Sequence, residues 1–269
     1  MDLTLQSELY NNIKFNMQKL ILDVPENDAL WLSRIFGAKE EEVAKLLHDF
    51  EKAAGQQAQE IRKGREIPVI EKGKKIAFIG DSITSDRESY FNIIRKLFEN
   101  EEKLVWIDAA ISGDKSDDAK MKLNERAMNY QPDIAHILIG TNDMRENMDE
   151  DGESCLSLAE YRKNLEYIVK RLQKAGVIPI LSTISPVLVE GIGKRFPDDH
   201  WTYHEANIEA VNNIIEEVAQ TFGARFNDMR HVYCQYQAQD ILLQDGLHLN
   251  AKGQRLLAEH VLTVLCEYL

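Results

Sequence analysis

From residue 75 onward, short apolar runs alternate with longer stretches in which apolar positions recur at helical spacing. The runs are Lys75–Gly80 (KIAFIG), Leu104–Ile111 (LVWIDAAI), Ile134–Gly140 (IAHILIG) and Val177–Ile184 (VIPILSTI), with a weaker one at Ala224–Asn227. Runs apolar at nearly every position read as strands buried on both faces, as in a parallel sheet. Helical patterns cover 88–99, 115–129, 157–175 and 203–222, and a last one covers 251–268. Gly176, after Lys174 and Ala175, suits a helix end just ahead of the fourth strand. Strands alternating with helices imply right-handed βαβ units. The expected architecture is therefore an α/β fold, a doubly wound parallel sheet between helices.

Residues 1–70 follow another pattern. Leu9, Ile13, Met17, Leu20 and Ile21 recur at helical spacing, and so do Val43, Leu46, Leu47 and Phe50. A shorter helix starts at the Asn27-Asp28 cap and ends at Gly37, and no strand signal precedes residue 67. These features predict a helical N-terminal extension over 1–70, joined through the stretch 64–75 to a main domain over 75–269. Three roles stay open for it: a cap packed on the main domain, a contact between copies in a homo-oligomer, or a lid over the substrate.

The length of 269 residues fits one α/β domain of about 200 residues plus an appendage. Acidic residues outnumber basic ones by 45 to 32, for a net charge of -13. That balance argues against a nucleic-acid partner, which needs a concentrated basic surface, and against an electrostatic grip on anionic membranes. No apolar run is long enough for a transmembrane helix, so no integral membrane association is expected. The N-terminus lacks the basic-then-apolar order of a secretory signal. Cys155, Cys234 and Cys266 form no CxxC pair and read as buried thiols in a reducing compartment. Together these features predict a cytoplasmic protein.

The chemistry is concentrated where strands end. Ser82 lies in Gly80-Asp81-Ser82-Ile83-Thr84, directly after the first apolar run. In an open α/β sheet, ligands bind beyond the carboxyl ends of the strands, so a serine there is displayed toward a substrate. Gly-Asp-Ser alone is also an ordinary turn. The second element, Asp245-Gly246-Leu247-His248-Leu249-Asn250, precedes the last helix. Serine nucleophiles need a base within hydrogen-bond reach and a carboxylate to fix the tautomer of that base. Asp245 and His248 can meet through one turn, although Asn250 could equally cap the helix and leave His248 at the surface.

Two further blocks change the weighing. Gly113 follows the second run in Ala110-Ile111-Ser112-Gly113-Asp114, and Asn142 follows the third in Gly140-Thr141-Asn142-Asp143. A backbone N–H at a glycine and a side-chain amide are the donors an oxyanion hole needs. Each block has an ordinary loop explanation, but four together at successive strand ends point to a hydrolase.

The four blocks resemble the GDSL/SGNH hydrolase family in order and approximate spacing. Ser82, Gly113, Asn142 and His248 match its four naming residues, and Asp245 matches the triad acid. The resemblance covers about 75–269 and transfers nothing to residues 1–70. It implies a flavodoxin-like five-stranded sheet, a shallow open site, and ester or thioester hydrolysis without a metal or organic cofactor. It implies Ser82, Asp245 and His248 as the catalytic triad, with the N–H groups of Ser82 and Gly113 and the Asn142 amide as the oxyanion hole. The expected partner is a small-molecule ester, either an acyl lipid, as for a lipolytic esterase, or an acetylated sugar. A non-catalytic binding module is the rival from another class. It would be expected to have lost a triad member, and none is missing.

Other candidates are set in lesser roles. Asp81 reads as a backbone-bonded turn residue and Asp143 as a loop brace. Arg145 reads as a solvated side chain or a contact for an anionic substrate group. His200 and His204 have i,i+4 spacing near Asp198 and Asp199, but a surface helix start explains them better than a metal site. Ser112 and Ser116 have no local base. The segment Gly191-Ile192-Gly193 with Lys194 and Arg195 lacks the setting of a phosphate loop. It reads as a mobile loop bordering an acyl pocket, with Pro186, Val187 and Leu188 as wall residues.

Overall fold

The five strands of the main sheet form on the five apolar runs: β1 (Lys74–Gly80), β2 (Leu104–Asp108), β3 (Ile134–Leu138), β4 (Ile178–Ser182) and β5 (Arg225–Asn227). The computed structural model describes residues 8–20, 27–147, 154–195 and 201–269. The strands are parallel throughout, in the order β2-β1-β3-β4-β5. That is the flavodoxin-like order, with its switch point between β1 and β3. Ladder pairing ends before the apolar runs do. Ala109, Ala110, Ile139 and Ile184 lie beyond their strands yet stay buried. These short apolar tails carry the chain from the sheet to the loops of the site.

Helices cover both faces. Among them, in chain order, are α1 (Glu8–Lys14), α2 (Ala29–Phe36), α3 (Glu40–Gly64), α4 (Tyr90–Leu97), α5 (Ser116–Met121), α6 (Leu158–Lys174), α7 (Glu205–Phe222) and α8 (Ala251–Leu265). Alternation along β1 divides the core. Ala77 and Ile79 join a cluster with Leu165 and Ile168 of α6 and Val211 and Ile215 of α7. Ile76 and Phe78 join Ala58 and Ile61 of α3, Ile94 of α4 and Val261 of α8 on the opposite face. Successive side chains of a strand point to opposite faces, so a run apolar at every position needs both layers. Among the described residues, no helix is long and apolar enough to cross a membrane.

The single helical pattern expected over 115–129 is broken. After α5 come a one-turn helix at Leu123–Arg126 and a 3-10 turn at Met128–Tyr130, closed by Gln131 in the left-handed region at φ 55°. The thiols also differ from expectation. Cys155 and Cys234 are exposed and Cys266 is half-buried, because the first two sit in short surface turns and the third at the open end of α8. His136 lies fully buried inside β3. Its Nδ1 is 2.9 Å from Tyr90 Oη and its Nε2 is 2.6 Å from Ser182 Oγ. Burial pushes its pKa down to about 3, so the ring is neutral and serves the core.

At the N-terminus, α2 forms between the Asp28 cap and Gly37 as the spacing predicts, with Asp28 accepting from the Trp31 N–H at 3.0 Å. The helix expected through Leu9–Ile21 stops at Lys14. Asn16, at φ 53°, turns the chain into a 3-10 segment, Met17–Leu20, and Ile21 lies outside the described residues. Helix α3 continues well beyond Phe50. Its first half packs with α1 and α2 around Ile13, Leu32, Val43 and Phe50, and its second half completes one face of the main sheet through Ala54, Ala58 and Ile61. The N-terminal helices thus pack on the chain's own domain, and α3 belongs to two cores.

Candidate active site

The strand order determines which loops are neighbours. Because β1 lies between β2 and β3, the turn carrying Ser82 is flanked by the loop with Gly113 on one side and the loop with Asn142 on the other. Asp81 caps the one-turn helix Ser82–Ser85 by accepting from the Ile83 N–H at 3.0 Å. That cap holds Ser82 at the first helical position, where its backbone N–H has no partner within the helix. Ser82 is half-buried, with its hydroxyl at the floor of a pocket of about 520 Å3.

His248 reaches Ser82 from the turn before α8. Its Nε2 lies 2.9 Å from Ser82 Oγ, and its Nδ1 lies 2.8 Å from Asp245 Oδ2. An ionised carboxylate can only accept, so the Nδ1 proton donates to Asp245, and the Nε2 lone pair faces the serine hydroxyl, which donates. The second oxygen of Asp245 accepts from the N–H groups of Leu247 and His248 at 2.9 and 3.0 Å. Burial works against the Asp245 carboxylate. The His248 bond and charge and these two N–H groups outweigh it and hold the pKa below the usual carboxylate value. Asn250 caps α8 by accepting from the Lys252 and Gly253 N–H groups at 2.9 and 3.1 Å. The structure joins one half of the alternative to the triad reading: Asn250 caps the helix, but His248 turns inward, 9% exposed, rather than lying at the surface.

The turn depends on a close backbone approach. Gly246 sits at φ 71°, and a Cβ there would lie 2.1 Å from the Leu188 carbonyl oxygen. The Leu188 N–H in turn donates to the Gly246 carbonyl at 2.7 Å. The segment after β4, expected as a mobile loop, is a short helix, Val189–Arg195, docked on this turn. Pro186 and Val187 do not reach the Ser82 pocket. They line a separate cavity with Ile208 and Tyr233. The expectation of Pro186, Val187 and Leu188 as walls of the Ser82 pocket is corrected accordingly.

The two flanking donors stand at the pocket. Gly113, at φ 84°, adopts a backbone that side-chain residues rarely take, and its N–H has no partner among the described residues. One hydrogen of the Asn142 amide goes to the Asp114 carbonyl at 3.0 Å, which orients the group and leaves the other hydrogen to the pocket. Asp143 ties the loops together, accepting from the Ser116 N–H at 3.0 Å and from the Ser116 hydroxyl. Its burial, which those bonds oppose, pushes its pKa up to about 6.

Residues to which the sequence patterns gave no place at the site complete the pocket. Phe15, Met17 and Leu20 enter from the N-terminus, and Trp201 and Tyr203 come from the chain before α7. Arg145 lines the pocket too, its guanidinium 5.9 Å from the Trp201 ring. The one local signal for Phe15 is its phase, since it falls off the stripe formed by Leu9, Ile13, Met17 and Leu20. His204 stands at the start of α7 without a side-chain cap bond and is exposed, 3.0 Å from Glu146, whereas His200, Asp198 and Asp199 lie outside the described residues. Among the described residues, no group of three potential ligands is arranged to hold a metal ion.

Comparison with known proteins adds to this geometry. The model of the GDSL-like Lipase/Acylhydrolase family matches residues 78–256. The Bacillus subtilis protein named uncharacterized lipoprotein YqeF is 25% identical over 175 residues, which is 58% of this chain and 71% of that protein. Among solved structures, the lipase/acylhydrolase from Enterococcus faecalis is similar with a TM-score of 0.58 at 23% identity, over 71% of this chain and 95% of that one. An acetylxylan esterase from Geobacillus stearothermophilus, solved as a catalytic mutant, has a TM-score of 0.59 at 20% identity, over 72% and 94%. The structural likenesses establish the fold. With about two thirds of its length matched by the family model, the chain belongs to the GDSL-like lipase/acylhydrolase family.

Proposed function

We propose that this protein is a serine esterase that cleaves carboxylic esters through an acyl-serine intermediate. The observation that carries the reading is the unbroken hydrogen-bonded line from Asp245 through His248 to Ser82, ending in an open pocket. His248 takes the Ser82 proton as Oγ attacks the acyl carbonyl carbon. The resulting oxyanion is held by the N–H groups of Ser82 and Gly113 and by the free hydrogen of the Asn142 amide. The imidazolium, stabilised by Asp245, then passes its proton to the leaving alcohol. Water, deprotonated at the same Nε2, attacks the acyl-enzyme and releases the acid with regeneration of Ser82.

The pocket lining favours a short acyl group on a polar alcohol over a long acyl chain. Asn11, Asn12, Lys122 and Arg145 interrupt its apolar surface, and a fatty chain needs a continuous apolar groove. Unpaired cysteines keep the cytoplasm as the proposed location. The lipoprotein name of the Bacillus subtilis relative is the contrary pointer.

The test is a panel of nitrophenyl esters from acetate to octanoate, together with acetylated sugars. Wild type is expected to hydrolyse acetate best and to lose kcat/KM steadily as the chain lengthens. Ser82→Ala should abolish turnover, and Asn142→Ala should lower kcat by about 10²–10³ while leaving the fold intact. A preference for octanoate would overturn the substrate assignment. Undiminished turnover in Ser82→Ala would overturn the mechanism.

A further inference from the structure

We propose that Glu8–Leu20, which lies outside the family match at 78–256, is a fixed wall of the active site, with Phe15 as the positioning residue for His248. The inference rests on the esterase reading above. The Phe15 ring stacks on the His248 imidazole with centroids 4.2 Å apart and planes inclined by 29°. Its backbone carbonyl accepts from the hydroxyl of Ser112, the neighbour of Gly113. Phe15 therefore spans the gap between the base and the loop that carries an oxyanion donor. Although it borders an open pocket, it is only 8% exposed.

The segment is tied to the stretch that follows the nucleophile. The Asn16 amide donates to the Ser85 carbonyl at 2.6 Å, Arg87 Nε donates to the Ile13 carbonyl at 2.7 Å, and the Arg87 N–H donates to the Lys14 carbonyl at 2.9 Å. Lys14, 3% exposed, pairs with buried Asp86 at 3.0 Å and also with Glu88. Farther along, Lys19 pairs at 2.5 Å with Asp108, the last residue of β2. A lid that swung open would have to break the buried Lys14–Asp86 pair and these backbone bonds together. The anchors thus favour a permanent wall over a gate.

The imidazole needs such a wall. Its hydrogen bonds to Asp245 at Nδ1 and to Ser82 at Nε2 both lie near the ring plane and leave the ring free to tilt about the line that joins them. A planar side chain against its face removes that freedom and also accommodates the imidazolium formed during turnover. Misplacement of a catalytic group by about 1 Å can cost about a hundredfold in rate.

The test uses the full chain with Phe15→Leu and Phe15→Tyr. Leucine keeps apolar bulk but lacks a planar face, whereas tyrosine retains the face. The readouts are kcat and KM on nitrophenyl acetate, the rate of modification by a small fluorophosphonate, and Tm. Phe15→Leu is expected to keep a Tm near wild type while kcat and the modification rate fall about 10- to 100-fold with little change in KM. Phe15→Tyr should restore most of both rates. The proposal fails if Phe15→Leu reacts at the wild-type rate, or loses rate only in step with the fraction of folded protein. Failure of the underlying esterase reading looks different: wild type would not be modified, or Ser82→Ala would be modified just as fast.

Discussion

Asp81 stands one position before the proposed nucleophile, fully buried, with one carboxyl oxygen on the Ile83 N–H and the other without a partner. Burial, only partly offset by that bond and by nearby His248, pushes its pKa from 3.8 up to about 7. The folded chain therefore holds a proton that the unfolded chain releases above about pH 4. The stabilisation is complete below the unfolded pKa and is lost as pH rises through the folded one. Asparagine supplies the same acceptor without the titration. Asp81→Asn is expected to match wild type near pH 4 and to exceed it above pH 7 by up to about 4 kcal/mol, read from urea unfolding across that range. Parallel stability curves for the two proteins would show that Asp81 ionises normally in the fold. The bond from the Ile83 N–H places Asp81 in the turn, where its sequence reading put it.

At the scale of elements, the site is made of turns held by their neighbours. Replacing Gly246 by alanine sets a Cβ against the Leu188 carbonyl oxygen in a left-handed backbone. The Asp245–His248 turn must then shift relative to Ser82. We expect Gly246→Ala to cost at least about 2 kcal/mol of stability and to lower kcat, measured by urea unfolding and ester turnover. Full activity in that variant would mean the docked helix Val189–Arg195 yields freely. The sequence made one half of this arrangement legible. Ser82, Gly113 and Asn142 each follow an apolar run, so strand ends alone bring them to one edge. The other half was hidden, because the docking of Leu188 on Gly246 and of Phe15 on His248 joins distant segments that share no periodicity.

At the scale of the whole molecule, the alternation of runs and helices made the α/β class legible. The strand order came only with the family resemblance, since five apolar runs of similar strength carry no register. The boundary near residue 70 separates patterns in the sequence rather than bodies in space. Helix α3 closes one face of the sheet, and residues between Asn11 and Leu20 reach the Ser82 pocket. An acidic chain with a charge of -13 thus sets residues 8–20 beside the Ser82 pocket at the sheet's switch point. The most direct test of that centre is to treat the protein with a fluorophosphonate and map the modified peptide by mass spectrometry. The account predicts one adduct per chain, on Ser82, absent from Ser82→Ala and much slower to form in His248→Ala. An unmodified wild-type protein, or an adduct that persists in Ser82→Ala, would contradict it.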